Sequence, residues 1–199
     1  MNTGEAVLAR AEGSMGHATL YWIGRGGVDP TAPLPGQLTR VAPAWTSLDV
    51  PTQQEMKALA LTIGIDVHDP NLVRAACDCS GFVCWALGFA RKTALPNGFE
   101  EWTNSDSIWA DAMGPQTRFY RVAKARPGAL VVYPRKDSHE RYGHVAIVVA
   151  ADSQGNAKRI IHCSADNLYS APHDAIKITT TEKFQRQHLS IYAWYRDVE

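Results

Sequence analysis

An aspartate, a cysteine and a serine open the most apolar helical stretch of the chain, and that junction narrows the folds open to it. Residues 78–84 read Asp78-Cys79-Ser80-Gly81-Phe82-Val83-Cys84. From Cys79 to Ala90 the apolar residues Phe82, Val83, Ala86, Leu87 and Ala90 recur at helical spacing, which predicts a helix with one buried face. Asp78 stands at the N-cap, where its carboxylate accepts from the unpaired N–H groups of the first turn. Cys79 then lies in that turn, where the N–H groups and the positive end of the helix dipole favour a thiolate over a thiol. A cysteine so placed is a nucleophile in need of a base.

Two histidines answer that need. His144 opens the run His144-Val145-Ala146-Ile147-Val148-Val149, continuous enough for a strand buried on both faces. His162 ends Arg159-Ile160-Ile161-His162, after the turn signal Asp152-Ser153-Gln154-Gly155-Asn156. The two segments predict an antiparallel hairpin that brings both imidazoles to one end of a sheet. One ring would take the thiol proton, and the other would fix its tautomer and orientation, with Asp166 and Asn167 as alternative orienting groups.

With these residues in place the chain resembles the NlpC family of papain-like cysteine peptidases, bacterial enzymes that cut peptidoglycan stem peptides. Asp-Cys-Ser-Gly-Phe-Val is similar to the family's nucleophile helix, so Cys79 takes the nucleophile's place. Residues 126–133 followed by Gly143-His144-Val145-Ala146-Ile147 resemble its central strand pair, so His144 takes the base's place. Ile160-Ile161-His162-Cys163-Ser164 resembles the block whose histidine orients the base. Tyr21-Trp22-Ile23-Gly24-Arg25-Gly26-Gly27 is similar to a tyrosine-and-glycine segment ahead of the nucleophile. The resemblance implies that Tyr21 lies near the active site, and that Asp78 and Ser80 help bind the free amine of a stem peptide. Ala129 departs from the family pattern, which carries an acid there. A long segment, about residues 28–71, is inserted where many members have a short loop.

The rest of the chain predicts one domain over residues 1–199, of the α+β class, with N-terminal helices and the nucleophile helix packed on a central antiparallel sheet. Helices are expected over 3–14, over 52–63 behind a Thr52–Glu55 capping box, and over 104–113. Strands are expected at 128–133, 143–151, 158–163, 174–180 and 189–195. Five prolines between Pro30 and Pro51 predict an irregular loop rather than a regular helix or central strand.

The four cysteines do not make a disulfide framework. Cys77 and Cys79 are too close in sequence, and Cys84 lies about 140° further round the helix than Cys79. Cys84 and Cys163 read as buried small hydrophobes. The C-x-C-x4-C spacing, even with His162, is not a structural-zinc pattern, so neither metal nor organic cofactor is expected. Equal numbers of basic and acidic residues argue against nucleic acid or an anionic membrane as main partner, and no apolar stretch is long enough for a membrane span.

These readings converge on a thiol peptidase or amidase acting on peptidoglycan stem peptides. A non-catalytic binding module of the same fold, a thiol acyltransferase and a phage-type lysis enzyme remain as alternatives. The start of the sequence lacks the basic and apolar regions of a secretory signal. The expectation is therefore a protein made in the cytoplasm and delivered by a non-classical route into a rival's periplasm. That would be an antibacterial effector of the type VI kind, neutralised in its producer by an immunity protein.

Overall fold

The apolar segments either side of the Asp152–Asn156 turn pair antiparallel inside a six-stranded sheet. The turn is closed locally: one Asp152 carboxylate oxygen accepts from Gln154 N and Asn156 N, and Asp152 N donates to Asn156 O at 2.9 Å. The protein is described here from a computed structural model covering residues 3–94 and 100–199. Its elements run α1 (Gly4–Gly13), β1 (Leu20–Tyr21), β2 (Gln37–Arg40), α2 (Val41–Thr46), α3 (Val50–Thr62), β3 (Val73–Cys77) and α4 (Cys79–Ala86). They continue as β4 (Lys92–Ala94), β5 (Glu100–Trp102), α5 (Ser105–Met113), β6 (Phe119–Val122), β7 (Leu130–Tyr133), β8 (His144–Ala151) and β9 (Ala157–Cys163). A 3-10 turn at Ala165–Tyr169 then precedes β10 (Ile176–Thr180), α6 (Glu182–Gln185) and β11 (Ile191–Tyr195).

The arrangement is mixed α+β. The large sheet has the order β10-β9-β8-β7-β11-β6, each neighbour antiparallel. β7 and the first five residues of β8 are buried because their runs of Val, Ile and Leu meet protein on both faces. Helix α4 packs against β8 and β9, with α1 against its outer side. All eight residues of α4 are buried, so it is a core helix rather than an amphipathic one. Phe82, Val83 and Leu87 share one apolar cluster with Leu130, Val132, Val145, Ile147, Ile160 and Ile161. The five strands expected from the sequence are present with bounds close to those expected, and β6 adds an edge strand that the sequence did not announce.

Three local expectations need correction. Helix α4 ends at Ala86 rather than Ala90, because Gly88 turns the chain at φ 80°. Gly88 N donates to Trp85 O at 3.0 Å and Phe89 N to Cys84 O at 3.1 Å, a paired closure of the last turn that a glycine permits. Helix α3 begins before Thr52: Asp49 is its cap, accepting from Thr52 N at 2.7 Å, and Pro51 sits in its first turn. The 28–71 segment is more ordered than a loop with one helix, since it contributes β2, α2 and α3. Its prolines punctuate these elements. Strand β2 is an edge strand between Pro35 and Pro43, and Pro43 occupies the first turn of α2, where no backbone donor is needed.

A second, three-stranded sheet in the order β1-β3-β2 fixes the approach to the nucleophile. β1 runs parallel to β3, with Leu20 opposite Ala76 and Tyr21 opposite Cys77. The segment after β1 then crosses the start of α4. There a Cβ on Gly81 would fall 2.5 Å from Arg25 O, so the close approach requires glycine.

Candidate active site

Strand β3 delivers the chain to Asp78 in extended conformation (φ −112°, ψ 178°), and α4 begins at the next residue. One carboxylate oxygen of Asp78 accepts from Gly81 N at 2.8 Å and Ser80 Oγ at 3.1 Å. The other accepts from Gly24 N at 2.7 Å and Arg91 Nη2 at 2.8 Å. Asp78 is therefore the cap expected from the sequence, with both oxygens engaged by the protein itself. Ser80 Oγ also accepts from Arg91 Nη2 at 2.8 Å. The sequence resemblance assigned Asp78 and Ser80 to a substrate amine; in the structure both are buried and engaged by these internal partners.

Arg91 is the residue that sequence reasoning missed. Its Nε donates to Thr103 O, its Nη1 to Arg25 O, and its guanidinium carbon lies 4.4 Å from the Trp102 ring centroid. The side chains of Arg91 and Asp78 are only 3% and 5% exposed. No local pattern marks this arginine, because all its partners except the ring of Trp102 and the carbonyl of Thr103 lie in segments earlier in the chain.

Cys79 is 5% exposed in the first turn of α4. Burial and the neighbouring Asp78 charge push its thiol up to about 12, against the opposing pull of the Val145 N–H, Arg91 and the Ser80 N–H. This reverses the expectation of a ready thiolate: the helix-end donors are present, but desolvation outweighs them. Among the described residues no hydrogen bond joins this thiol to an imidazole. The donor that reaches it from the opposite sheet is the backbone of Val145, next in line to His144.

His144 begins β8 opposite Tyr133 of β7. Its ring stacks on Phe184 at 5.5 Å between centroids and is buried. Its Nε2 lies 2.7 Å from Nδ1 of His162, the two rings meeting edge to face. The hairpin thus brings together the two imidazoles that the sequence placed at one end of a sheet. Burial lowers the pKa of both, His144 well below its ordinary value and His162 to about 4, so both are neutral near pH 7. Nε2 of His162 lies 3.0 Å from Thr179 Oγ1 on β10, a second residue the sequence reading did not single out. Of the alternative orienting groups, Asn167 Nδ2 donates to the backbone carbonyls of His162 and Ala175, and Asp166 pairs with Lys183 at 3.2 Å.

A cleft of about 260 Å³ opens over His144. Tyr21 lines it, and its phenol pKa is raised well above the ordinary value by burial and then by the neighbouring Cys79 and Asp78. One wall comes from the 28–71 segment, through Trp45, Glu55 and Met56. The facing wall is the β7–β8 loop with Arg141 and Tyr142. Arg141 spans the two, pairing with Glu55 and donating to Thr52 Oγ1 at 2.8 Å. Among the described residues no group of three or more His, Cys, Asp or Glu side chains is arranged to hold a metal ion.

Cys79 at the start of α4 and the His144–His162 pair on the sheet are the candidate catalytic groups, joined through the Val145 backbone that reaches the thiol. Residues 69–165 match the family model described as CHAP domain. The match carries the wider class, cysteine or amidase hydrolases of peptidoglycan related to the NlpC and papain-like peptidases, and not the NlpC family itself. It takes in Cys79, His144 and His162, and leaves Tyr21 and Thr179 outside. No curated protein and no solved structure matches the chain significantly.

Proposed function

We propose that the protein hydrolyses amide bonds in peptidoglycan stem peptides, with Cys79 as nucleophile, His144 as base and His162 as the group that orients it. The observation that carries this reading is the ring-to-ring contact of His144 and His162 beside the first turn of α4, within a segment that matches a CHAP domain. His162 occupies Nε2 of His144, which leaves Nδ1 as the nitrogen for the thiol proton. Hydrogen bonds of this kind are commonly looser before substrate binds, so a thiol and imidazole not yet hydrogen-bonded fit a site that tightens on its substrate.

Attack of the Cys79 sulfur on an amide carbon transfers its proton to His144 and forms a tetrahedral intermediate. Asp78 holds Gly81 N, and its own carbonyl takes Phe82 N. The Cys79 N–H at the helix start is then the donor placed to stabilise the oxyanion. His144 returns its proton to the departing amine, leaving a thioester on Cys79. Water, deprotonated by the same imidazole, releases the acid and restores the thiol. A neutral thiol and a neutral imidazole in the resting state suit this order, in which proton transfer accompanies attack.

Incubation of the purified protein with defined muropeptides under reducing conditions, with fragments identified by mass spectrometry, tests the reading. Cleavage at one stem-peptide amide, absent in Cys79→Ala, is expected; intact muropeptides after prolonged incubation would refute the substrate class. The narrower reading is an antibacterial effector restrained by an immunity protein. Expression in a Gram-negative host with and without a periplasmic signal separates it: lysis only with the signal fits, and equal toxicity from the cytoplasm does not.

A further inference from the structure

His162 uses both ring nitrogens, and the single proton of a threonine hydroxyl decides which of them carries hydrogen. Its Nδ1 lies 2.7 Å from His144 Nε2, and its Nε2 lies 3.0 Å from Thr179 Oγ1. Both rings are buried and neutral, so each has one N–H and one lone pair. Two arrangements of the chain Thr179–His162–His144 satisfy these contacts, and they differ in what His144 presents to the thiol.

The contact that separates them is the second one made by Thr179. Its hydroxyl donates to the Thr180 carbonyl at 3.1 Å, and a carbonyl only accepts. With its proton committed there, Oγ1 is an acceptor for His162, so His162 must carry hydrogen on Nε2. Its Nδ1 then accepts from Nε2–H of His144, and Nδ1 of His144 keeps a free lone pair. If the hydroxyl pointed at His162 instead, each hydrogen would sit one nitrogen further along. His144 would then present N–H to the thiol and could not receive its proton.

We propose that Thr179 is a positioning residue of the active site: its hydroxyl, anchored on the Thr180 carbonyl, fixes the tautomer of His162 and thereby keeps His144 Nδ1 available as the base. Strand register explains why Thr179 can do this. Lys177 lies opposite His162 across the β9–β10 pair, and Thr179, two residues on, is its diagonal neighbour on the same face. A β-branched side chain on a strand has few χ1 choices, which holds the hydroxyl in direction. Thr179 lies beyond the 69–165 match. The proposal rests on the reading of His144 as base for Cys79, but the tautomer is measurable without any substrate.

The test is two-bond 1H–15N correlation spectroscopy of the imidazoles near neutral pH, in the full-length protein and in Thr179→Val and Thr179→Ser. Hydrogen on Nε2 of both His144 and His162 is expected in the unsubstituted protein. Thr179→Val, close in shape, removes the acceptor; His162 should lose its pure Nε2–H form, and kcat on a cleaved muropeptide should fall about tenfold or more with KM little changed. Thr179→Ser should restore both readouts. An unaltered Nε2–H tautomer in Thr179→Val, or hydrogen on Nδ1 of His144 in the unsubstituted protein, overturns the proposal. The second of these needs no variant, so it decides even if Thr179→Val does not fold. A protein inert on muropeptides but with the expected tautomers would refute the substrate reading and leave this one standing.

Discussion

Arg91 Nη2 lies 2.8 Å from Asp78 Oδ2 beneath the first turn of α4, and the two charges act on the nucleophile with opposite sign. Asp78 raises the Cys79 thiol and Arg91 lowers it. Asp78→Asn should therefore speed alkylation of Cys79 near pH 8, and Arg91→Gln should slow it, each by about tenfold for a shift of about one pKa unit. Peptide mapping of iodoacetamide adducts distinguishes Cys79 from the other three buried thiols. Arg91→Gln also strands a buried carboxylate, so a stability loss of about 3–5 kcal/mol is expected in urea denaturation. If both variants simply accelerate alkylation, the pair is no more than a structural clamp whose loss exposes the sulfur.

The three candidate catalytic side chains should fail to different degrees. Cys79→Ala removes the nucleophile and should abolish hydrolysis with native thermal stability nearly kept. His144→Ala removes the base, with an expected loss of about 10³-fold or more in kcat/KM. His162→Ala leaves the base in place but loose, and water can partly replace the lost contact, so about 10–100-fold is expected. Full activity in His162→Ala would remove that residue from the mechanism.

Acid should weaken the fold through the same imidazoles. The folded pKa of His162 lies near 4 against an unfolded value of 6.5, and that of His144 is also lowered. Below pH 6.5 the unfolded chain binds protons that the folded chain refuses. The stability these rings contribute is thus fully present above pH 6.5 and is lost as pH falls through the folded value near 4. Urea midpoints should fall across that window, and less steeply in His162→Gln. Midpoints that stay level as pH drops would contradict the buried neutral pair.

The Arg141–Glu55 bridge across the cleft is of another kind. Its side chains are 44% and 60% exposed, so Arg141→Ala should change stability by no more than about 1 kcal/mol. The bridge joins both walls of the cleft, and its loss should appear in KM rather than in the melting temperature. An unchanged KM together with a large fall in stability would reverse this assignment.

How much of this was legible in the sequence depends on how local each signal was. Asp78 as cap, the β8–β9 hairpin and the meeting of His144 with His162 were all readable, because cap, turn and apolar run lie beside the residues they organise. The end of α4 was marked by Gly88 but masked by the continuing apolar period through Ala90. Arg91 and Thr179 gave no signal: one is the first of two adjacent cations after an apolar stretch, the other a polar residue in an ordinary strand alternation. Their roles exist only once β3, β9 and β10 are assembled. The protonation of Cys79 was misread for the same reason. A helix start is visible in sequence, whereas the burial that outweighs it is a property of the packed structure.

The central claim is that the sulfur of Cys79 becomes covalently acylated during amide cleavage, and one measurement addresses it directly. Protein mixed with excess defined muropeptide is acid-quenched during turnover and analysed by intact and peptide mass spectrometry. The account predicts an adduct equal in mass to the acyl fragment of the stem peptide, located on Cys79, accumulating more strongly when an added change slows deacylation, and absent in Cys79→Ala. Undiminished amide cleavage by Cys79→Ala would contradict it.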